Sequence, residues 1–434
     1  MLKLLVGTER IDVMEIIMEA VQLMENNDTE SAITLLENYA PSATDEEKFM
    51  IAEFYMQWGF YSEATGLLED LLRQYPEESD IKMLLADIFI ELEEDKEAID
   101  LLTSISEDDP AYLQALLQLA DLYQSEGLFE VAESKLLEAK NIQPDEPIID
   151  FALGEFFFST GEYQRAIIHY EKLPDHMTEI AHVSITSRLA ESYTAQGAYE
   201  KALEYYQTLN SDQPDTLFKH GLAAYYAKRK DIAINVWKKV IELDSYYHTV
   251  YYELAKAYDE EGYVKEAFET CQKGLELDEH NKELFFLAGQ IANKLDKHDL
   301  SEKYMLEAVA IDFDYKAAVI FLINIWKHAD EHERIIEFLS QIKEQGAQDP
   351  LYDWEMARAF NEEEAYPEAL EAYRQAYEPL QQDSEFLKEY GYFLVEDGKI
   401  KQAIPIFETY TQIETLDTDT FEYVERLKQS INTD

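Results

Sequence analysis

The sequence predicts an all-α fold of about twelve stacked helix–turn–helix units, each close to 34 residues, closed by a C-terminal helix. Three observations carry this prediction. The chain has only 14 glycines and 11 prolines in 434 residues, too few for a loop-rich or all-β protein. Apolar residues make up 47% and aromatics 13%, which supplies a large core and excludes a disordered acidic tail. A small residue also recurs along nearly the whole chain: Ala32, Ala64, Ala98, Ala132, Ala166, Ala202, Ala233, Ala267, Ser301, Ala369 and Ala403, with Ile335 filling the one gap. Eight of the eleven successive spacings are 34 residues, a period that marks a repeat architecture.

Residues 1–12 form a short lead-in, and their apolar patch is too brief for a secretory signal. Residues 13–182 hold repeats one to five, the more acidic part, and residues 183–417 hold repeats six to twelve. In eleven of the twelve repeats another small residue, the first of the two in chain order, sits twelve positions earlier: Ala20, Ala52, Ala86, Ala120, Gly154, Ala190, Gly221, Ala255, Gly289, Ala357 and Gly391. A bulky residue often follows three positions on, as at Tyr55, Phe89, Phe157, Tyr193 and Trp326. Small residues let two helix axes approach, and a large residue opposite fills the adjoining gap. Glycines at the intervening turn (Gly59, Gly127, Gly161, Gly197, Gly262, Gly398) supply left-handed caps, and Pro76, Pro110, Pro144 and Pro214 end repeats. One such pair cannot bury its apolar face alone, so neighbours stack into a solenoid. Residues 418–434 read as a capping helix and tail, with Phe421, Val424, Leu427 and Ile431 at helical spacing.

The order small, aromatic, small, aromatic and proline resembles the tetratricopeptide repeat family, in its long, all-repeat bacterial form. Residues 129–139 (FEVAESKLLEA) with Pro144, and residues 199–206 (YEKALEYY), carry the resemblance best, and it covers residues 13–417. It implies a right-handed α-solenoid whose first helices line a concave face. Lys48, Lys82 and Asp150 stand where the family places a large residue, so looser packing is expected there. The family's lysine–asparagine clamp for acidic C-termini is matched only by Lys388, with Tyr392 where asparagine belongs. Spacings of 36 and then 31 around Pro174, Asp175 and His176 point to a bend or hinge near residues 174–214, or to a local loop adjustment.

No catalytic constellation emerges. Cys271, the one thiol, falls on a large apolar position and reads as a small buried hydrophobe. It excludes an internal disulfide. His328 and His332 have the spacing of two metal ligands on one helix, but Asp330 occupies the turn position between them and no third ligand is evident. Phosphate loop, dinucleotide fingerprint and nucleophile elbow are all missing. The expectation is a non-enzyme with no metal and no cofactor. The longest uncharged apolar stretch, residues 317–326, is far short of a membrane span, so a soluble, cytoplasmic protein is expected.

Function is therefore sought on the surface. The residue after the first small position is acidic in repeats two to six: Glu53, Asp87, Asp121, Glu155 and Glu191. It then turns neutral or basic: Leu222, Lys256, Gln290, Asn324, Arg358 and Tyr392. Four residues earlier lies an apolar row: Phe49, Met83, Leu117, Phe151, Phe218, Tyr252, Phe286, Ile320 and Trp354. An acidic ladder beside an aromatic stripe suits a protein or peptide with basic, amphipathic segments. Residues 1–200 carry 11 basic against 43 acidic residues, a net of −32, whereas residues 201–250 net +1 and the remainder −24. That field opposes direct binding of nucleic acid or anionic membrane. Three readings follow: a scaffold or adaptor for basic segments, an acidic accessory or nucleic-acid mimic serving a polymerase or helicase, and a regulatory-peptide receptor. The last would need an output module, and none is visible.

Overall fold

The computed structural model describes residues 3–6 and 9–431, with side chains described from Met14 to Ser430. A short antiparallel pair, Lys3–Val6 with Glu9–Asp12, precedes twenty-five helices among the described residues. The helices alternate as first and second members of twelve repeats, from Val13–Glu25 with Thr29–Tyr39 to Ser384–Glu396 with Ile400–Ile413. The protein is thus an all-α repeat solenoid. The chain divides into two compact units, Met1–Asn210 and Ser211–Asp434. The first unit runs past residue 182 to take in repeat six, Ile185–Ala195 with Tyr199–Thr208.

Burial follows the repeat register. Every alanine of the second small series is fully enclosed, as are Ser301 and Ile335. The first small series sits against the large residue four positions after the second. A Cβ built on Gly154 would lie 2.5 Å from Tyr170, on Gly221 2.1 Å from Trp237, and on Gly289 and Gly391 2.7 Å from Met305 and Phe407. In repeats one to four the same pair of positions is alanine with leucine: Ala20 with Leu36, Ala52 with Leu68, Ala86 with Leu102, and Ala120 with Leu136. Volume is traded across the pair, as close packing requires. The trade is incomplete, because Tyr206 and Tyr373 face Ala190 and Ala357 in register.

The turn position is equally regular. Asn27, Gly59, Glu93, Gly127, Gly161, Gly197, Lys228, Gly262, Asp296, Asp330, Glu364 and Gly398 all have φ between 56° and 82°. Half of these residues carry a Cβ in a left-handed conformation, which costs roughly 1–2 kcal/mol. Glu93→Gly and Glu364→Gly are each expected to stabilise the chain by about 0.5–1 kcal/mol, read as a rise in thermal midpoint. A fall would show that the exposed glutamate side chain contributes more than its backbone strain costs. At Asp330 the turn separates Lys316–His328 from His332–Glu344, so His328 and His332 end and begin different helices.

Three local features depart from expectation. Lys82 and Asp150 do not loosen their repeats. Both are buried, Lys82 donating to the Ser104 carbonyl at 3.1 Å and Asp150 meeting Lys140 at 2.6 Å and His169 Nδ1 at 2.8 Å. A buried charge is retained where it is paired and hydrogen-bonded. Lys48 stays partly exposed, 3.7 Å from Asp45. Pro214 ends its repeat by opening the next helix, Pro214–Tyr226, where a missing N–H carries no penalty. In the cap, Thr418–Ile431, Val424 and Leu427 pack on the last core cluster while Phe421 faces outward. The Ile431 side chain lies outside those described.

The 36-residue spacing is absorbed by a small hairpin, Glu179–Ile180 with Val183–Ser184, turned through Ala181 and His182 at positive φ. The 31-residue spacing, from Ala202 to Ala233, contains the division at Asn210.

Candidate functional site

First helices present their outer residues at two register positions, one after the first small residue and two before it. Across neighbouring repeats these positions face each other. Gln118 Nε2 donates to Asp87 Oδ1 at 2.5 Å. Arg188 grips Glu155 through Nε and Nη2, both at 2.8 Å, with its guanidinium 4.3 Å above the Phe158 ring. In the second unit the charges are reversed: Arg358 meets Glu389 through Nε at 2.9 Å and Nη2 at 2.6 Å, over Trp354 at 4.0 Å.

This cross-repeat pairing splits the acidic ladder. Glu155 is engaged by Arg188 and by the Tyr170 hydroxyl at 2.5 Å, and Glu191 accepts from Ser187 at 3.2 Å. Glu53 and Asp121 face Leu84 and Ala152 in register, and among the described residues neither side chain has a hydrogen bond or ion pair. Asp87 and Asp121 line one open depression of about 580 Å³, floored by Met56, Ile90 and Leu122 and flanked by Glu91 and Gln118. Desolvation raises the Asp121 carboxyl above the ordinary aspartate value. It does the same at Asp87, with Glu91 adding to the rise and the Gln118 hydrogen bond opposing it. No lysine or arginine lines that depression.

The apolar row divides too. Met83, Phe151 and Trp354 are at most 8% exposed, so their area is consumed by packing between helices. Phe49, Leu117, Tyr252, Phe218 and Phe286 are partly buried. Phe218 packs against Tyr247 with ring centroids 5.2 Å apart, and Phe286 against Tyr315 at 5.4 Å. The apolar floor beside the acids therefore comes from Met56, Ile90 and Leu122, residues outside the predicted row. Gln118, Arg188 and Glu389 were missed for one reason: they matter only through a partner 31 to 33 residues away. Comparing two register positions across adjacent repeats, instead of one position along the chain, would have found them.

Cys271 is fully buried, and burial with the nearby Asp259 charge pushes its thiol up, away from nucleophile chemistry. Among the described residues no group of three or more His, Cys, Asp or Glu side chains could hold a metal ion, and no helix is long and apolar enough to cross a membrane.

Stacked helix pairs on this register, with their polar residues meeting from one first helix to the next, define a repeat scaffold suited to protein–protein interaction. The chain belongs to the tetratricopeptide repeat family. It is 35% identical over 419 residues to the TPR repeat-containing protein YpiA of Bacillus subtilis (strain 168), covering 96% of this chain and 99% of that one. Family profiles agree: YpiA-like C-terminal tetratricopeptide repeats match residues 350–417, YpiA-like tetratricopeptide repeats residues 124–178, and general tetratricopeptide repeats residues 185–215, 248–281 and 283–315. The ARM repeat of tetratricopeptide repeat protein 21 matches residues 48–127. Among solved structures, YrrB, a TPR protein with an unusual peptide-binding site, is 16% identical with a TM-score of 0.38, over 42% of this chain and 95% of that one. The Cut9–Hcn1 hetero-tetramer of APC/C is 13% identical with a TM-score of 0.34, over 94% and 95%. Proteins of this family are generally non-catalytic scaffolds.

Proposed function

We propose that the protein is a non-enzymatic scaffold that binds a basic, amphipathic protein segment along the first helices of its N-terminal repeats. One observation carries this reading: Asp87 and Asp121 share an apolar-floored depression with no cation to meet them. Asp87, Glu91, Asp95 and Asp121 line it together without a basic side chain, and an incoming Lys or Arg relieves the mutual repulsion of these like charges. The net charge of −32 over residues 1–200 adds long-range attraction for a basic partner and makes association salt-sensitive.

The choice of test variant follows from these contacts. Reversing Glu155 to lysine would strand Arg188 and remove the Tyr170 acceptor, so a loss of binding would be ambiguous. Glu53→Gln, Asp87→Asn and Asp121→Asn together neutralise acids that form no ion pair among the described residues, and they leave Arg188 and Tyr170 their partner. The tagged triple variant is expected to retain helicity and to lose partners that the natural protein captures from lysate at low salt and releases along a salt gradient. Capture of the same partners with the same salt profile by the variant would sink the proposal.

A further inference from the structure

Sixteen residues before the second small residue, four repeats carry a charge where the others are mostly apolar: Lys48, Lys82, Asp150 and Asp353. Three of these charges are met inside the chain. Lys82 donates to the Ser104 carbonyl, which ends the helix Asp95–Thr103, while Asp150 and Asp353 take Lys140 and Lys343. Those two lysines share one position, eight residues after the second small-series residue of the preceding repeat. For Lys48 that position holds Ala40. The cause is local: the second helix of repeat one, Thr29–Tyr39, has 11 residues against 14 in Phe129–Ile142, and Ala40 falls in the 3-10 turn that contains Pro41. The carbonyl that would match Ser104 belongs to Asp70, inside the helix Tyr61–Gln74, where the backbone ladder uses it. Among the described residues the Lys48 ammonium makes no hydrogen bond, and Asp45, on its own helix, stands 3.7 Å away.

Ala40 and Lys48 line one open cavity of about 760 Å³, within the range of about 300–1,000 Å³ found for ligand pockets. We propose that this cavity binds a small zwitterion, its carboxylate on Lys48 and its ammonium on Glu37 and Glu63. Pro41, Tyr55 and Leu67 supply apolar lining for the body between the two charges. The cavity is polarised along the helix Asp45–Gln57, on which Lys48 and Tyr55 stand about 10 Å apart at 1.5 Å per residue. At the Tyr55 end lie Glu37 and Glu63, neither with a side-chain hydrogen bond or ion pair among the described residues. Burial, then Glu37 and Glu63, push the Tyr55 hydroxyl up to about 12. At the Lys48 end Asp70 is taken by Arg73 at 2.8 Å. A simple anion would face Glu37, Glu63 and Asp70 against only Lys48 and Arg73. A zwitterion instead brings a cation to the unpaired acids and a carboxylate to the unpaired lysine. A tripeptide with free ends spans that distance of about 10 Å.

Isothermal titration calorimetry of the full chain with the free tripeptide Ala-Leu-Ala, its N-acetyl form and its C-terminal amide tests the site. The free tripeptide is expected to bind, and loss of either charge to weaken it at least about 10-fold. Lys48→Met should bring the free tripeptide down to the level of the amide and remove the difference between them. A Cβ on Gly66, which also lines the cavity, would meet nothing within 4 Å. Gly66→Leu therefore fills the space while improving helix propensity, and should abolish binding with helicity kept. It carries the test if Lys48→Met does not fold. Free, acetylated and amidated peptides that bind alike, binding unaffected by Gly66→Leu, or no binding at millimolar peptide overturns the proposal. The cavity shares no lining residue with the depression at Asp87 and Asp121, so either site can fail without the other.

Discussion

Gly221→Ala is expected to destabilise the second unit by about 3 kcal/mol, because its added methyl meets a closer contact than that at any other described glycine. The added Cβ would sit 2.1 Å from Trp237 Nε1, 2.5 Å from Cδ1 and 2.6 Å from Cε2. The indole has no room to move. It is fully buried, donates to the Phe218 carbonyl at 3.2 Å, and is flanked by the rings of Phe218 and Tyr225 at 6.4 and 6.0 Å. Gly289→Ala makes the contrast, because its clash is with the flexible end of Met305, at 2.7 Å, and should cost only about 1 kcal/mol. Pairing Gly221→Ala with Trp237→Leu recreates the alanine–leucine pair of repeats one to four. The double variant should be more stable than the sum of the two losses by about 1–3 kcal/mol. Hydrogen exchange across residues 214–243 is the appropriate readout, since a long repeat array need not unfold in one step. Strict additivity would mean that close approach at this position does not govern packing.

Arg358→Ala should destabilise repeats eleven and twelve by roughly 3 kcal/mol. Glu389 accepts from Arg358, from Trp354 Nε1 at 2.8 Å and from the Tyr373 hydroxyl at 2.8 Å, while Arg358 Nη1 also holds Glu355 at 2.8 Å. Removing the guanidinium leaves Glu355 with Lys327 at 2.9 Å and Glu389 with the neutral donors Trp354 Nε1 and Tyr373 hydroxyl alone. Arg358→Lys keeps the charge but not the fork, and should lose about half as much. The network also sets a pH dependence. Burial alone would raise the Glu389 carboxyl, but the bonds and charge of Arg358, with Trp354 and Tyr373, bring it below the ordinary glutamate value of 4.5. A folded value below the unfolded one means the stabilisation is complete above the unfolded value and is lost as pH falls through the folded one. The stability gap between the natural protein and Glu389→Gln is therefore widest near neutral pH and closes on acidification below about 4.5. Thermal scans of both proteins across pH decide it, and a gap that does not change with pH would assign the effect to packing.

Much of this molecule is a matter of local physics. The small residues twelve apart, the large residue that follows and the left-handed turn are each visible within one repeat, because helix spacing and turn geometry act over a few residues. Even Glu93 and Glu364 take the turn conformation that glycine takes elsewhere, since the repeat leaves the chain no other path. The absence of phosphate-loop or nucleophile signatures was legible in the same way. Reading one position down the chain, however, treats Glu53, Asp87, Asp121, Glu155 and Glu191 as equivalent, and they are not.

What distinguishes them lies on the neighbouring helix: Leu84, Gln118 and Ala152 against the first three, and Arg188 against Glu155. The same holds for the apolar row, where Met83, Phe151 and Trp354 disappear into packing while the partly exposed Met56 and Ile90, with the buried Leu122, line the depression. By itself the sequence determined the architecture, its period and its acidic character, because those follow from residue type and spacing. Only the tertiary structure decided which charges remain open, because an ion pair depends on the residue that stacking brings alongside, and that residue stands a full repeat away.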